Sequence, residues 1–178
     1  MLKQVTGKFG VLDIINSGSA MELDSETISE IRKVVKDKCI HTIWFEAHYM
    51  YRHRLADFAR QFQPAVVKFR CGVETFDPLL RSRWQKGIGH DVTAMDIARY
   101  FHGLCLLCCT DTPGDTRERL LQDIELAEKY FEYYSINVFC HNSTSIRCND
   151  EMLRWFKSEV CPTLQKSAKA EVLIDNTD

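Results

Sequence analysis

The stretch AVVKFRC at residues 65–71 carries two cations inside an apolar run. Lys68 and Arg70 lie two residues apart, so in a β-strand they share one face while Val67 and Phe69 take the other. A strand covered by helices offers no solvated face to receive two charges. The pair therefore predicts a polar interior, as the lumen of a barrel provides, or anionic groups beside the strand.

Two kinds of anionic partner fit Lys68 and Arg70. Glu46, in the apolar run at residues 42–47, would lie on a neighbouring strand and could form an ion pair. A carboxylate or phosphate of a bound ligand would also match the two cations. The two interpretations are compatible, and both stay open.

Further apolar runs predict a parallel sheet. They occupy residues 11–16, 42–47, 104–109, 135–140 and 171–175, and they are nearly continuous rather than alternating. Strands buried on both faces have this pattern. Helical stretches separate the runs, so the chain predicts five strand–helix units and a sixth strand. Right-handed crossovers then give an α/β fold, either a doubly wound sheet or a partial TIM-like (βα) barrel.

Helix starts are marked by capping residues. Asp24 precedes the first amphipathic stretch, and Asn149 precedes the last one. Asp115, with Glu118 three residues later, forms a capping-box pattern before the longest helix. These patterns predict N-caps at Asp24 and Asp115, and the start of a further helix at residues 149–151.

Composition excludes several classes of protein. The 178 residues include 23 Lys and Arg against 25 Asp and Glu, a formal net charge of −2, and 45% are hydrophobic. This favours one globular domain over residues 1–178 and argues against a dedicated nucleic-acid binder. No apolar run reaches the roughly 18 residues of a membrane helix, and the first residues lack the apolar core of a signal peptide.

The 8 cysteines lie mostly inside apolar runs. Free cysteine behaves there as a small hydrophobic residue, which predicts a reduced, cytoplasmic protein. The run CLLCC at residues 105–109 has the spacing of a metal motif, but on a strand Cys105 and Cys108 point to opposite faces. We therefore expect core packing and no metal site at these residues.

Polar residues collect where the predicted strands end, and function gathers at the carboxyl ends of parallel strands. The candidates are Gly18, Ser19, Glu46, His48, Tyr49, Arg52, Lys68, Arg70, Glu74, Asp111, Asn137, His141 and Asn142. For the histidines, an ordinary loop position is favoured. Neither GxGxxG nor a P-loop motif is present, which lowers support for dinucleotide and phosphate-loop folds.

Several motifs at these strand ends resemble the radical S-adenosylmethionine (SAM) superfamily. Residues 68–78, KFRCGVETFDP, resemble its fourth strand and the following GVET or GVQS turn. Residues 86–90, KGIGH, fit the lysine, glycine and histidine that often follow. Residues 112–118, TPGDTRE, resemble the start of the helix after its fifth strand. Their order covers nearly the whole chain and implies a partial barrel without the first βα unit.

The resemblance implies a SAM site. Gly18 and Ser19 would hold the methionyl amino group, and Glu46 with Arg70 the methionyl or ribose portion. Asn137 would lie near the adenosine, and Glu74 would shape the wall. Residues at the mouth would bind the substrate, and they are His48, Tyr49, Arg52, Lys68 and Asn142. Lys68 and Arg70 would then face the cofactor carboxylate or a substrate phosphate.

One departure from the superfamily is large. Its CxxxCxxC loop, which holds a [4Fe–4S] cluster, should precede Val11, yet no cysteine occurs before Cys39. The chain by itself is therefore not expected to cleave SAM reductively. The predicted first strand also begins almost at the N-terminus, and the last ends three residues before the C-terminus. We expect a longer parent with the cluster and a reductant such as flavodoxin or ferredoxin, or a partner in place of the missing unit.

The segment NVF at residues 137–139, followed by NST at 142–144, is similar to a queuine-salvage lyase of this superfamily. That resemblance implies a small-molecule substrate, such as queuosine or its phosphate, from which queuine is released. Direct nucleic-acid binding and membrane attachment are not expected.

Two other functions remain open. One is a cluster-free SAM-binding or regulatory barrel. The other is an unrelated βα-barrel lyase or hydrolase that uses Glu46, Glu74 or Asp111 as acid or base. An exposed first strand could also pair with a second copy and form a homodimer.

Overall fold

The computed structural model describes residues 4–16, 18–141 and 143–174. The chain divides into two compact units, residues 1–71 and residues 72–178. Each unit is described by itself below, and the third strand runs from the first unit into the second.

The first unit holds three parallel strands with helices between them. Its elements are β1 (Val11–Ile14), α1 (Ser25–Asp37), β2 (Thr42–Glu46), α2 (Leu55–Arg60) and β3 (Val66–Glu74), with 3₁₀ turns at Ala20–Glu22 and Tyr49–Arg54. The strand order is β1-β2-β3, the order along the chain. The runs at 11–16, 42–47 and 65–71 are therefore confirmed as parallel strands, as right-handed βα units require.

One face of these strands is the apolar core of the unit. The Phe45 ring lies 5.2 Å from Phe58 and 5.2 Å from Phe62, and Phe58 lies 6.2 Å from Phe69. Such aromatic pairs add about 0.5–1.5 kcal/mol each beyond the burial of area. Because side chains alternate along a strand, Lys68 and Arg70 lie on the other face, as predicted.

The first helix begins as the sequence predicts. Asp24 is the N-cap of α1, and its carboxylate accepts the Thr27 backbone N–H at 2.7 Å. Hydrogen bonds from the backbone and side chain of Thr27 lower the pKa of Asp24, because they favour the charged carboxylate. Ile31 and Val35 form the buried stripe of this helix.

The second unit continues the strand–helix alternation. Its elements are α3 (Pro78–Arg83), α4 (Ala94–Ala98), β4 (Gly103–Cys108), α5 (Arg117–Tyr130), β5 (Tyr133–Val138), α6 (Asp150–Trp155), a π-helical turn (Phe156–Val160), α7 (Cys161–Leu164) and β6 (Ala170–Leu173). The three strands are parallel in the order β4-β5-β6, with Leu107 beside Asn137 and Asn137 beside Leu173.

Two short helices of this unit do not follow from periodicity. Asp77 caps α3, with Pro78 as its first residue, and Thr93 caps α4 in a capping box with Asp96. Each helix is too short to show an apolar stripe, although its cap is visible in the sequence. Within the described residues, no helix has the length and apolar character to cross a membrane.

The start of α5 corrects one prediction. Thr116, not Asp115, is the N-cap, and its hydroxyl accepts the Arg119 backbone N–H at 3.2 Å. The Asp115 carboxylate instead accepts from the backbone N–H and hydroxyl of Thr110, at 2.7 and 2.8 Å. Asp115 therefore ties the end of β4 to α5. The predicted helix start at residues 149–151 is confirmed, with Asn149 as the N-cap of α6.

Candidate functional site

Arg70 is the charged centre of the polar face of β1–β3. Its side chain is 6% exposed, and its Nη2 donates to Asp13 Oδ2 in β1. The Asp13 side chain is 43% exposed. Glu46, the expected partner, is the register neighbour of Arg70 in β2. The face is therefore polar, as the two cations predict, and it combines cations and carboxylates from three strands.

An aromatic ring lies among these charges. Trp44 in β2 is the register partner of Asp13 on one side and of Lys68 on the other. Lys68 Nζ lies 5.4 Å from the centroid of the indole ring, and the Arg70 guanidinium carbon lies 5.7 Å from it. At these distances the ring attracts both cations. The polar face thus has a flat apolar surface at its centre.

The turn after β1 is built around Ser19. Its hydroxyl accepts the backbone N–H groups of Met21 and His48, both at 3.4 Å. Glu22 reaches back and accepts the Ser19 N–H at 3.4 Å. A Cβ on Gly18 would lie 2.5 Å from Glu22 Oε2, so a larger residue there would displace the Glu22 carboxylate from its bond with Ser19. The predicted pair Gly18 and Ser19 is therefore fixed by capping bonds, which join the ends of β1 and β2.

Three predicted substrate residues lie together after β2. His48 caps the 3₁₀ turn, where its Nδ1 accepts the Met50 N–H at 3.1 Å. The Arg52 guanidinium lies 4.6 Å from the centroid of the Tyr49 ring, and its Nη1 donates to the Tyr49 carbonyl at 3.4 Å. The sequence favours a loop position for His48, and the cap gives that position a structural role. Tyr49 and Arg52 form a stacked pair.

Among the described residues, each unit holds one asparagine whose buried side-chain oxygen lacks a hydrogen bond. In the first unit it is Asn16 Oδ1, after β1, and in the second it is Asn137 Oδ1, in β5. Buried polar atoms are nearly always paired with protein, water or another hydrogen-bonding group. Each of these two oxygens can therefore accept a hydrogen bond from water or from a ligand.

The end of β3 carries a left-handed residue. Glu74 has φ 65°, which is uncommon for a residue with a side chain. Lys86 Nζ donates to Glu74 Oε1 at 2.8 Å, and both side chains are largely buried. Glu74, predicted to shape the cofactor wall, is thus held by an ion pair in an unusual backbone geometry.

The segment that supplies Lys86 surrounds a buried arginine. Arg81 in α3 is 1% exposed. Its Nη2 donates to the carbonyls of Gly89 and Val92 at 2.7 and 3.2 Å. The Lys86 N–H in turn donates to the Arg81 carbonyl at 3.2 Å. Residues 84–93 therefore have a fixed path without forming a helix or strand.

The loop after β4 is occupied by a structural network. Arg119 donates to Asp115, to Asp123 at 2.9 Å and to the Leu107 carbonyl at 3.1 Å. Asp123 also accepts the Phe76 N–H at 3.0 Å. Burial raises the pKa of Asp123, and the Arg119 charge opposes the shift. Asp111 exchanges bonds with the backbone of Arg147 at 2.8 and 2.9 Å, so it serves the same loop.

The cysteine-rich run packs in the core. Cys105, Cys108 and Cys109 are buried and free. The hydrogen bond with Cys109 and burial together raise the pKa of the Cys108 thiol well above its ordinary value. Among the described residues, no group of three His, Cys, Asp or Glu side chains could hold a metal ion.

The structure thus places the predicted site residues in three groups. In the first unit, Glu46, Lys68 and Arg70 share the polar face of the strands. Gly18, Ser19 and His48 form the joined turns, beside Tyr49 and Arg52. The second unit holds Glu74 and Asn137, and Asn142 lies outside the described residues.

Three residues of these groups were missed by sequence reasoning: Asp13, Trp44 and Lys86. Lys86 was noted only as part of a motif. Asp13 and Trp44 lie inside apolar runs, as Lys68 does. A charge or an indole that falls on the same strand face as Lys68 and Arg70 was the sequence signal that could have revealed them.

Comparison with known proteins gives one informative match. No family model and no curated protein matches the chain. A solved structure, the queuine lyase from Clostridium spiroforme bound to SAM and queuine, matches with a TM-score of 0.88 and 34% sequence identity. The match covers 97% of this chain and 73% of that one. The chain belongs to the radical SAM superfamily.

Within the superfamily this radical SAM protein is queuine-lyase-like, and it is an enzyme. The predicted partial TIM-like barrel is confirmed, because the match extends over nearly the entire chain. The doubly wound alternative is excluded by the same match. SAM, which the structural neighbour binds, and a [4Fe–4S] cluster are the cofactors of the superfamily.

The described residues fit one of these cofactors and not the other. In the first unit, the Asn16 oxygen and the charged side chains of the polar face suit the amino, hydroxyl and carboxylate groups of SAM. In the second unit, the Asn137 oxygen is an acceptor of the same kind. A cluster needs a set of thiolates, and the part of the chain that the structure describes brings no three metal-binding side chains together. The described residues therefore offer no ligand set for the cluster.

Proposed function

We propose that this chain provides the SAM- and substrate-binding portion of a radical SAM lyase that acts on a queuine-class base. The observation that carries the proposal is the match to the SAM- and queuine-bound lyase at 34% identity over 97% of the chain. The polar face of β1–β3 supports it, because buried charges in a barrel strand need a polar ligand or ion pairs.

The proposed SAM contacts follow the superfamily pattern. The turn at Gly18 and Ser19 receives the methionyl amino group, and its path is fixed by the Ser19 and Glu22 bonds. Glu46 and Arg70 serve the methionyl or ribose portion. Asn137 offers its oxygen to the adenosine, and Glu74, held by Lys86, shapes the wall. When bound and reduced in a complete enzyme, SAM supplies a 5′-deoxyadenosyl radical.

The proposed substrate is a queuine-type base. The structural neighbour is bound to queuine itself. The free base is therefore the first compound to test, and queuosine or its phosphate, with release of queuine, is the second. His48, Tyr49, Arg52 and Lys68 are the proposed substrate residues, with Asn142 as a further one. Arg52 and Lys68 would bind the phosphate group of queuosine phosphate, which free queuine lacks.

The first test is ligand binding by the 178-residue chain in a calorimeter. We expect SAM and S-adenosylhomocysteine to bind, and Arg70→Leu to weaken both. The second test uses the product of the complete gene, reconstituted anaerobically with iron and sulfide. Formation of 5′-deoxyadenosine together with loss of queuine supports the lyase. Cleavage of SAM that is indifferent to queuine, queuosine and its phosphate overturns the substrate proposal.

The remaining parts of the proposal concern partners and location. An enzyme of this type would take electrons from flavodoxin or ferredoxin and would work in the reducing cytoplasm. The free, mostly buried cysteines support a reducing compartment. A homodimer through the first strand is also proposed, since Val11 in β1 is 46% exposed.

A further inference from the structure

A carboxylate on the polar face of the first unit has an unused bonding capacity. Within the described residues, the Asp13 side chain has no hydrogen bond besides the one from Arg70. A carboxylate has about four lone-pair sites on two oxygens. Its side chain is 43% exposed, whereas that of Arg70 is 6% exposed. Arg70 therefore holds the Asp13 carboxylate from its buried side. The remaining lone pairs of that carboxylate are accessible to a ligand.

Next to this carboxylate lies a flat aromatic surface. Trp44 is the register partner of Asp13, so the two side chains project from adjacent strands on the same face. Lys68 and Arg70, the cations near the indole, both belong to β3. The combination of an aromatic ring and a fixed acceptor is the usual arrangement for a heteroaromatic base with N–H donors along one edge.

The two oxygens of the Asp13 carboxylate indicate which class of base would bind beside it. A guanine-type edge presents a ring N–H and an exocyclic amino group side by side, and one carboxylate can accept both. A hypoxanthine-type edge has the ring N–H but lacks the amino group. Queuine, bound by the structural neighbour, is a 7-deazaguanine and carries the first kind of edge.

We infer that Asp13 is the specificity-determining residue for the 2-amino base edge, with Trp44 as the surface against which the base lies and Arg70 as the positioning residue for Asp13. This inference rests on the proposed function and adds to it the part of the molecule that recognises the base. None of the residues requires the cluster for this role.

The test compares two probes that differ in one amino group. The 178-residue chain is titrated with 7-deazaguanine and with 7-deazahypoxanthine in a calorimeter, and the ratio of Kd values is measured. We expect 7-deazaguanine to bind roughly 10- to 100-fold more tightly, the discrimination of a good bidentate contact. Asp13→Asn should reduce that ratio to about one, because the amide N–H₂ of asparagine would face an N–H donor of the base.

Two further variants separate recognition from folding. Asp13→Glu keeps the charge and the Arg70 pair but displaces the oxygens, so it should fold with an unchanged Tm and lose most of the discrimination. Asp57→Asn is the matched control, since it removes an Asp–Arg pair that is exposed on α2. It should leave the ratio unchanged.

The outcomes distinguish the inference from the proposed function. If S-adenosylhomocysteine and 7-deazaguanine bind but the ratio is near one, or survives in Asp13→Asn and Asp13→Glu, the inference is wrong and the proposed function stands. If the chain binds neither S-adenosylhomocysteine nor either base, both are wrong. A ratio that falls in the two Asp13 variants and persists in Asp57→Asn supports the inference.

Discussion

Two buried arginines of this protein have opposite surroundings. Arg119 in α5 donates to Asp115 and Asp123, whose side chains are 0% and 3% exposed, and to a backbone carbonyl. Arg70 in β3 is equally buried, but its partner Asp13 is 43% exposed. Arg119 is enclosed together with its two carboxylates. Arg70 instead holds in place a carboxylate, that of Asp13, which solvent or a ligand can reach.

The difference in exposure between the carboxylate partners helps to distinguish a buried charge with a structural role from one that a ligand can use. A fully enclosed network fixes chain geometry and is shielded from solvent and from ligands. A buried cation that holds a half-exposed carboxylate orients that carboxylate at low entropic cost on binding. By this criterion, the Arg119 network maintains the loop after β4, whereas the Arg70–Asp13 pair presents a carboxylate that a ligand can reach.

The largest expected effect is the loss of the enclosed network. Arg119→Leu leaves the Asp115 and Asp123 carboxylates buried without their cation, which should cost about 3–5 kcal/mol of unfolding free energy. Urea denaturation followed by circular dichroism measures this cost. A loss below 1 kcal/mol, on the order of an exposed pair, would contradict the description of the network as enclosed.

A smaller loss of stability is expected at the other arginine. Arg70→Leu should cost about 1–2 kcal/mol, because Asp13 can be hydrated when its partner is removed. The same variant should weaken SAM binding at least 10-fold, a change of about 1.4 kcal/mol. The comparison with Arg119 fails if Arg70→Leu destabilises the chain more than Arg119→Leu does.

The hydroxyl of Tyr134 is a neutral hydrogen-bond donor that can be compared with the two buried arginines. Tyr134 donates to Glu128 at 2.8 Å, and burial together with this bond raises the Tyr134 pKa. Tyr134→Phe should cost about 1 kcal/mol. Since the folded state keeps the phenolic proton, stability should be constant below the ordinary pKa of about 10 and fall as the pH rises above it. Unfolding at two alkaline pH values should show a smaller decline in the variant.

The smallest effect is expected at an exposed pair. Arg60 and Asp57 on α2 are 66% and 73% exposed. Asp57→Asn should change the unfolding free energy by less than about 0.5 kcal/mol, because solvent screens both charges. Chemical denaturation beside the Arg119 and Arg70 variants completes the series. An effect as large as that of Arg70→Leu would show that burial is not what separates these pairs.

The sequence predicted the fold better than the site. Continuous apolar runs and the phase of Lys68 and Arg70 were enough for parallel strands with a polar face, because side-chain alternation is a local property. Asp13 was not found, since a single acid in VLDI becomes informative only when its strand is aligned with Lys68 and Arg70, and its partner is 57 residues away. Asp115 was assigned to a cap, because its contacts with Thr110 and Arg119 depend on tertiary packing.

Arg81 serves residues 84–93 as a neighbouring strand would serve a strand. Its guanidinium donates to the carbonyls of Gly89 and Val92, while Lys86 ties the same segment to Glu74. Amide hydrogens of this segment should therefore exchange more slowly than those of an ordinary exposed loop. In a proteolysis experiment, Arg81→Leu should make these ten residues more susceptible to cleavage than the unaltered chain.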